Sequence, residues 1–407
     1  MKTVGIVAEY NPFHNGHLHH IEKSKEITGS ENVIAVMSGN FVQRGDIAIM
    51  SKYARTKIAL LNGVDMVIEL PVCFAASSAE FFAKASIAIL NGTGIVDSIC
   101  FGSESGNISE LKKISKFLMN ESDEYKKALK EGLKQGLSFP SARSIALKNS
   151  FTDSESLLQS PNNILAVEYL KALQLINSSI APFTISREIA HYHNKELTEK
   201  ISSATAIRNE LQRGNINCLK NTVPENSIDI WHSEMALKNT PVFIDELSSI
   251  FHYILATKSA EELKDILDMD EGLENRLLRV SSENYLISNI IKALKSKRYA
   301  QTKIQRAVIH ILLGIKKKEF KELMQSGGPP YIRVLGFKKE KSFLLKEIEE
   351  KGTLPLITNI KKADTLLDEK ALNLLEKEIS STDIYLLARG ENSSKLKYEY
   401  YEPIVIV

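Results

Sequence analysis

The feature that most constrains this chain is the order of segments in its first hundred or so residues. Four β-branched runs, KTVGIVAEY (2–10), NVIAVMSG (32–39), DMVIELP (65–71) and VDSICFG (96–102), alternate with helix-length segments. These are HNGHLHHIEKSKEITG (14–29), KYARTKIALLNG (52–63) and SAEFFAKASIAILNG (78–92), closed by Gly29, Gly63 and Gly92. Glycine just past a periodic segment is the usual helix stop. Strands that read as unbroken apolar runs are buried on both faces, so the pattern predicts an α/β fold around a parallel sheet with helices on each side. APFTISREIA (181–190) supplies a fifth strand after a mostly helical connection over 107–178. SATAIRNELQRG (203–214) supplies a helix that closes the unit near Gly214.

Beyond that unit the pattern changes. Residues 233–323 show helical periodicity and few strand signals. The tail reads as short strands over YIRVLGF, TLPLITN and DIYLLA, set around helices KSFLLKEIEEKG and KALNLLEKEIS. Three parts are expected: a catalytic α/β domain over 1–220, a helical basic domain over 221–325, and a small α/β subdomain over 326–407. A length of 407 residues with 43% hydrophobic content supports such cores and excludes a disordered chain. Cys73, Cys100 and Cys218 are isolated, which argues against a disulfide framework and a thiolate zinc site. No apolar run reaches the roughly 18 residues of a membrane span. The apolar start is too short for a signal peptide, so a cytoplasmic protein is expected, with no membrane partner.

The chemistry points to EYNPFHNGHLHH, directly after the first strand. In an open parallel sheet, ligands bind at the carboxyl ends of strands beside helix N-termini. Pro12 fixes the turn, and Gly16 admits close backbone approach. The helix start offers unpaired N–H groups and a positive dipole end, both suited to phosphate. His14 and His17, three apart, project to one side of that helix, where two imidazoles can donate to charge developing on a phosphate. The alternatives for four histidines in seven positions are a metal site or a plain His-rich face. The HExxH pattern is absent and no carboxylate stands at matching spacing. No metal ligand is therefore assigned.

Other segments fit a nucleotide site. SSATAIR opens a helix, and Ser203, Thr205 and Arg208 suit phosphate oxygens there, against the plain reading of a Ser/Thr cap. FGSESG follows the fourth strand, and Gly102 could let a nucleotide lie against backbone. The nucleophile-elbow pattern would need Ser where Glu104 stands. Arg187 ends the fifth strand. Asn40, Gln43 and Arg44 follow the second strand on the same sheet edge and are candidates for substrate contact. Lys52 and Arg55 are expected on a solvated helix face. Neither a P-loop nor a G-x-G-x-x-G follows the first strand.

The net charge of +2 hides a local asymmetry. From Lys292 to Lys318 there are nine Lys or Arg and no acid. Ile304, Val308, Ile311 and Ile315 would face the core, leaving Tyr299, Lys303, Arg306 and His310 on another face, preceded by Lys297 and Arg298. Cations interleaved with an aromatic suit phosphate contact and base stacking, and Arg276 and Arg279 extend the patch. Such contacts would position RNA rather than read its sequence.

H-x-G-H after a first strand resembles the HIGH-type nucleotidyltransferases. The ordered set VGIVAEYNPFHNGH, MSGNFVQRG, FGSE, SPNNILAVEYLKAL, SATAIR and KRYAQTKIQR resembles, across nearly the whole chain, the bacterial tRNA(Met) cytidine acetate ligase family. That resemblance implies a Rossmann-like HIGH-type domain with catalytic His14 and His17. It implies ATP contacts from Val7, Ala8, Glu9, Tyr10, Asn11, Pro12, Phe13, Asn15, Gly16, Leu18, His20, Gly102, Asn162, Arg187, Ser203, Thr205 and Arg208. The Thr comes one place later than the I-S-S-T-x-I-R signature, which leaves open whether Ser203 or Thr205 meets phosphate. The resemblance further implies ATP with Mg²⁺ and a two-step reaction through acetyl-adenylate. Acetate and the wobble cytidine of elongator tRNA(Met) would be the substrates and N4-acetylcytidine the product. The rival readings are a HIGH-type enzyme acting on a small molecule or protein, and an RNA-binding module that holds ATP only as a ligand.

Overall fold

The computed structural model describes residues 1–137, 139–148, 158, 160–187, 203–296, 299–390 and 396–407. Its centre is an eight-stranded sheet with β1 (Thr3–Ala8), β2 (Asn32–Ser38), β5 (Met66–Leu70), β6 (Ser98–Ser103), β7 (Ala181–Ser186), β8 (Ile332–Phe337), β9 (Leu356–Ile357) and β10 (Val405–Ile406). The order is β10-β8-β5-β2-β1-β6-β7, with β9 beside β8. From β5 to β7 every pairing is parallel, whereas β8 runs antiparallel to β5. A two-stranded hairpin, β3 (Phe41–Val42) and β4 (Asp46–Ile47), follows β2.

Alternation within the strands fills two cores. Ile34, Val36, Met66 and Ile68 face a core shared with helix α4 (Ala79–Gly92), helix α8 (Pro161–Leu175) and the helical region beyond 247. Val33, Ala35, Met37 and Val67 face a second core with α1 (Asn15–Thr28), α2 (Lys52–Leu61) and the helices Ala204–Gln212 and Glu225–Ala236. Both faces of β2 and β5 are therefore buried, as their apolar runs require. The parallel register aligns Ala8 with Met37, Ser38 with Leu70 and Ser103 with Ser186. The segments after these strands consequently leave one edge of the sheet together.

The tail departs from the expected separate subdomain. Its strands extend the first sheet, with Arg333 of β8 opposite Glu69 of β5. Residues 383–388 are not a strand. They continue the helix Glu369–Ala388, whose buried residues Leu375, Glu378, Ile379, Thr382, Tyr385 and Leu386 hold one helical face. A short apolar run fits either period, and the longer repeat decides it.

Lys52 and Arg55 are not solvated; they are 0% and 1% exposed. Arg55 Nε donates to the Met50 carbonyl at 2.9 Å, and Nη1 donates to those of Glu9 and Ser38 at 2.6 and 3.0 Å. Its Nη2 donates to the Gly39 carbonyl. One guanidinium thus satisfies carbonyls at the ends of two strands, where the ladder stops. Lys52 Nζ lies 2.6 Å from Glu69 and 3.4 Å from Glu378, and also meets Glu399. Arg333 lies 2.7 Å from Glu69 and forms an ion pair with Glu399 as well. Helix charge normally signals solvent, but here counter-charges from Glu69 of β5 and Glu399 of the tail compensate its burial.

Candidate active site at the carboxyl edge of the sheet

The chain leaves β1 through Glu9 and Tyr10, whose φ of 47° is rare for a residue with a Cβ. The Tyr10 ring is buried, 4.8 Å from the Phe13 ring and 5.0 Å edge-on to His17. Asn11 pins the loop: its Oδ1 accepts from the Ile49 N–H at 2.8 Å and its Nδ2 donates to the Ile47 carbonyl at 3.4 Å. The Asn11–Pro12 peptide is cis.

His14 caps α1. Its Nδ1 accepts the Gly16 N–H at 3.1 Å, and the His14 N–H is in turn accepted by His17 Nδ1 at 3.2 Å. The two rings stack at 3.8 Å, 21° apart. An Nδ1 that accepts carries no proton, so the neutral ring of each must carry it on Nε2. Burial, then the Arg187 charge, lowers the His14 pKa to about 4. Burial, His14, Arg187 and His20 hold His17 well below its ordinary value. His20 is lowered to about 4, by burial and then by Arg187 and His19, and its buried Nε2 has no protein partner. At neutral pH the pair His14 and His17 therefore presents two uncharged N–H donors. Among the described residues, no group of three or more His, Cys, Asp or Glu side chains is placed to hold a metal ion.

Several predicted residues join this edge. Arg208, in helix Ala204–Gln212, donates to the Asn11 carbonyl at 2.7 Å and lies 3.9 Å from Asp46. Ser203 caps that helix, its Oγ accepting the Ala206 N–H at 3.2 Å, while Thr205 is exposed in its first turn. Ser202 lies outside the described residues. Asn15 donates to the Asn221 carbonyl at 3.1 Å, and Leu18 packs into the second core with Ala8. Glu9 Oε1 accepts the Gln43 N–H at 2.8 Å. Burial raises the Glu9 pKa, against the pull of that hydrogen bond and of Arg44, Arg208 and Arg55.

On the far side, Arg187 Nη1 donates to Asn162 Oδ1 at 3.2 Å. A Cβ built on Gly102 would lie 3.2 Å from Arg187 Cγ, so the arginine arm runs along that glycine. Sequence reasoning missed Glu104. Its Oε1 accepts from Asn162 Nδ2 at 2.7 Å and from the Asn162 N–H at 3.3 Å, and its Oε2 accepts from the Asn163 N–H at 2.8 Å. The available signal was an acid one residue past a strand, to be matched with the Pro-Asn-Asn helix start.

Other predicted contacts are spent within the protein. Asn40 is 1% exposed, donating to Thr382 Oγ1 at 3.0 Å and accepting from the Lys52 N–H at 2.9 Å. Gln43 Nε2 donates to the Ser77 carbonyl at 3.1 Å. Arg44 stands exposed at the β3–β4 turn.

The basic helix Gln301–Leu313 differs from its sequence reading. Tyr299 is 5% exposed and its hydroxyl donates to the Glu271 carbonyl at 2.6 Å, so its ring is no platform for a base. Arg306 Nε meets Asp268 at 3.0 Å, and Lys303 is 3.9 Å from Asp270. His310 is buried between the carbonyls of Leu267 and Ala76. The acids missing from the stretch arrive from the segment 265–272, two helices earlier in the chain. Arg276 donates to the Ala293 carbonyl at 3.2 Å and sits 6.0 Å from the Tyr299 ring. Lys297 and Arg298 lie outside the described residues. The helix nevertheless abuts the site: a Cβ on Gly45 (φ 75°) would fall 2.3 Å from the Arg306 backbone nitrogen. The turn carrying Arg44 thus touches the helix carrying Lys303 and Arg306.

A family model described as HIGH Nucleotidyl Transferase matches residues 1–399. The tRNA(Met) cytidine acetate ligase of Thermoanaerobacter sp. (strain X514) is 44% identical over 407 residues, covering 100% of both chains. That of Acetivibrio thermocellus is 40% identical over 419 residues, again covering 100% of each. Thermotoga maritima TmcAL, solved bound with alpha-thio ATP, matches at a TM-score of 0.93 and 32% identity over 100% of both chains. Its apo form matches at 0.92. With the family model spanning the histidine edge and the tail strands β8 and β9, this chain belongs to the HIGH nucleotidyl transferase family.

Proposed function

We propose that the chain is an ATP-dependent tRNA(Met) cytidine acetate ligase. One acetate oxygen attacks the α-phosphorus of ATP, and the bond to the β-phosphate bridging oxygen breaks, giving acetyl-adenylate and pyrophosphate. The exocyclic amine of the wobble cytidine of elongator tRNA(Met) then attacks the acetyl carbonyl. The carbon–oxygen bond to phosphate breaks, AMP leaves, the amine loses a proton, and N4-acetylcytidine results. Full-length relatives bearing that name support the reading, as does a close structural match solved with an ATP analogue.

The observation that carries it is the pair of Nε2–H donors. Both Nδ1 atoms of His14 and His17 are engaged by backbone N–H groups, so the Nε2 atoms keep their protons and donate to the α-phosphate as its charge rises. Neutral rings fixed in advance need no reorganisation during displacement. Segment Val7–Phe13, with Asn15, Gly16, Leu18 and His20, lines the nucleotide. Gly102, Asn162 and Arg187 hold it on one side, and Ser203, Thr205 and Arg208 on the other. Asn40 and Gln43 shape the neighbouring loop rather than touch substrate. Mg²⁺ would arrive on the triphosphate, with phosphate and water oxygens as its ligands, and would offset phosphate charge. The exposed Arg44 starts an RNA-binding path that runs over Lys303 and Arg306 towards Arg276. No helix among the described residues is long and apolar enough to cross a membrane, which fits work in the cytoplasm.

The test incubates the protein with [¹⁴C]acetate, ATP, Mg²⁺ and total bacterial tRNA, followed by nucleoside analysis. Labelled N4-acetylcytidine that requires ATP is the expected result. Acetate-dependent pyrophosphate exchange without labelled RNA would keep the activation step and point to a small-molecule or protein acceptor. Neither signal would remove the acetate chemistry.

A further inference from the structure

We propose that Glu104 is a positioning residue of the nucleotide site, setting the Asn162 amide and, through it, the Arg187 guanidinium. The inference rests on the reading of Asn162 and Arg187 as nucleotide contacts. Glu104 is the first residue past β6, and both of its carboxylate oxygens are spent on the first turn of α8. A side-chain amide has one donor end and one acceptor end, and its orientation follows its partners. Here Nδ2 faces the carboxylate at 2.7 Å, which leaves Oδ1 to accept from Arg187 at 3.2 Å. The reverse orientation would set oxygen against carboxylate and N–H against guanidinium, so the acid selects one of the two orientations. Glu104 also lies close enough to support the Arg187 charge against the burial and the Arg44 charge that oppose it.

The neighbouring residues complete the device. Asn163 Oδ1 accepts the Ser105 N–H at 3.1 Å, and Ser103 Oγ accepts the Gly106 N–H at 3.0 Å, fixing the loop that carries Glu104. Gly102 leaves the space along which the Arg187 arm runs. One short motif thus places the arm with its glycine and the head with its acid. It has a second effect. The N–H groups at the start of α8 are already taken by a protein carboxylate, so α8 presents Asn162's side chain, not its helix end, to a ligand.

The experiment measures ATP affinity by equilibrium dialysis with [α-³²P]ATP, and the kcat and KM of acetate-dependent pyrophosphate exchange. Glu104→Ala is expected to raise both the Kd and the KM for ATP about tenfold while kcat falls less than about threefold. Glu104→Gln keeps one acceptor for Asn162 Nδ2 and is expected to fall between, at about threefold. In an Asn162→Ala/Arg187→Ala background, removing Glu104 should add less than about twofold, since nothing is left for it to position. An unchanged KM in Glu104→Ala would overturn the proposal. So would a loss confined to kcat, or a full additional loss in the double-variant background. If Glu104→Ala does not fold, by thermal circular dichroism, Glu104→Gln and its own double-variant background decide on the same criteria. If the unaltered protein neither binds ATP nor exchanges pyrophosphate, the nucleotide reading itself falls and takes this inference with it.

Discussion

Two places on the same sheet edge handle buried polarity in opposite ways. Beyond β1, His14, His17 and His20 are kept uncharged by burial and by the nearby Arg187 cation. Beyond β5, Lys52 and Arg333 are buried outright among Glu69, Glu378 and Glu399. Burial and then the neighbouring Glu69 raise Glu378 to about 8, so it holds its proton at neutral pH and two cations face two remaining carboxylates. The charged cluster is closed and self-cancelling. The histidine edge is left without counter-charge, and with its Nε2–H donors not spent on the backbone partners of Nδ1. A triphosphate brings its own charge, so a site for it gains from donors that have not been neutralised in advance.

That contrast can be broken first at its strongest point. His17→Ala should lower kcat for pyrophosphate exchange by about 10²–10³-fold, and His14→Ala comparably, with loss of the capping bonds costing only about 1–2 kcal/mol in urea unfolding. Lys52→Met should do the reverse. It leaves Glu69 and Glu399 to share Arg333 alone, one buried negative charge in excess, and should cost about 3–5 kcal/mol in urea unfolding. A large stability loss in His17→Ala, or none in Lys52→Met, would erase the distinction between the two regions.

Proton linkage sharpens it further. In the unfolded chain Glu378 ionises near 4.5, but when folded it holds its proton to about 8. The folded state binds more protons across that window, so this group makes stability fall as pH rises from about 4.5 to about 8. Glu378→Gln should flatten that part of the slope relative to the unaltered protein, read by urea unfolding at several pH values. The histidines act with opposite sign. Their folded pKa values are depressed, so they add stability as pH rises from about 4 to 6.5. For the same reason kcat/KM of exchange should show no histidine inflection between about pH 6 and 8. An inflection there would mean that imidazolium, not imidazole, does the work. The smallest expected effect is at the basic helix. Arg306 already has Asp268, so Arg306→Ala should weaken tRNA binding by less than about threefold, and less than Arg44→Ala does, in filter binding at fixed salt.

Local order was legible where the relevant contacts are local. The strands up to β6, and α1 with its glycine stop, depend on neighbours within a few residues, and the sequence periods carry them. What stayed hidden was counter-charge. Lys52 reads as surface until Glu69, Glu378 and Glu399 are seen around it, the last two from the far end of the chain. Lys303 and Arg306 read as an unopposed patch until Asp268 and Asp270 fold back over them. Glu104 stands 58 positions before Asn162, so its role had no local signature. The tail strands read correctly in part, but β5, which pairs with β8, lies more than half the chain away. Nothing in YIRVLGF says which sheet it joins.

The antiparallel seam between β5 and β8 also has a consequence for synthesis. β5 ends at Leu70 and β8 begins at Ile332. At roughly 5–20 residues per second, β5 leaves the ribosome about 10–50 s before the strand that covers it. During that interval MVIEL is an open apolar edge, and Lys52 and Glu69 lack Arg333, Glu378 and Glu399. Such an edge is a template for pairing with other chains. The nucleotide-binding half therefore cannot mature while the rest is being made. This protein completes its first sheet last, and until then β5 has only β2 beside it.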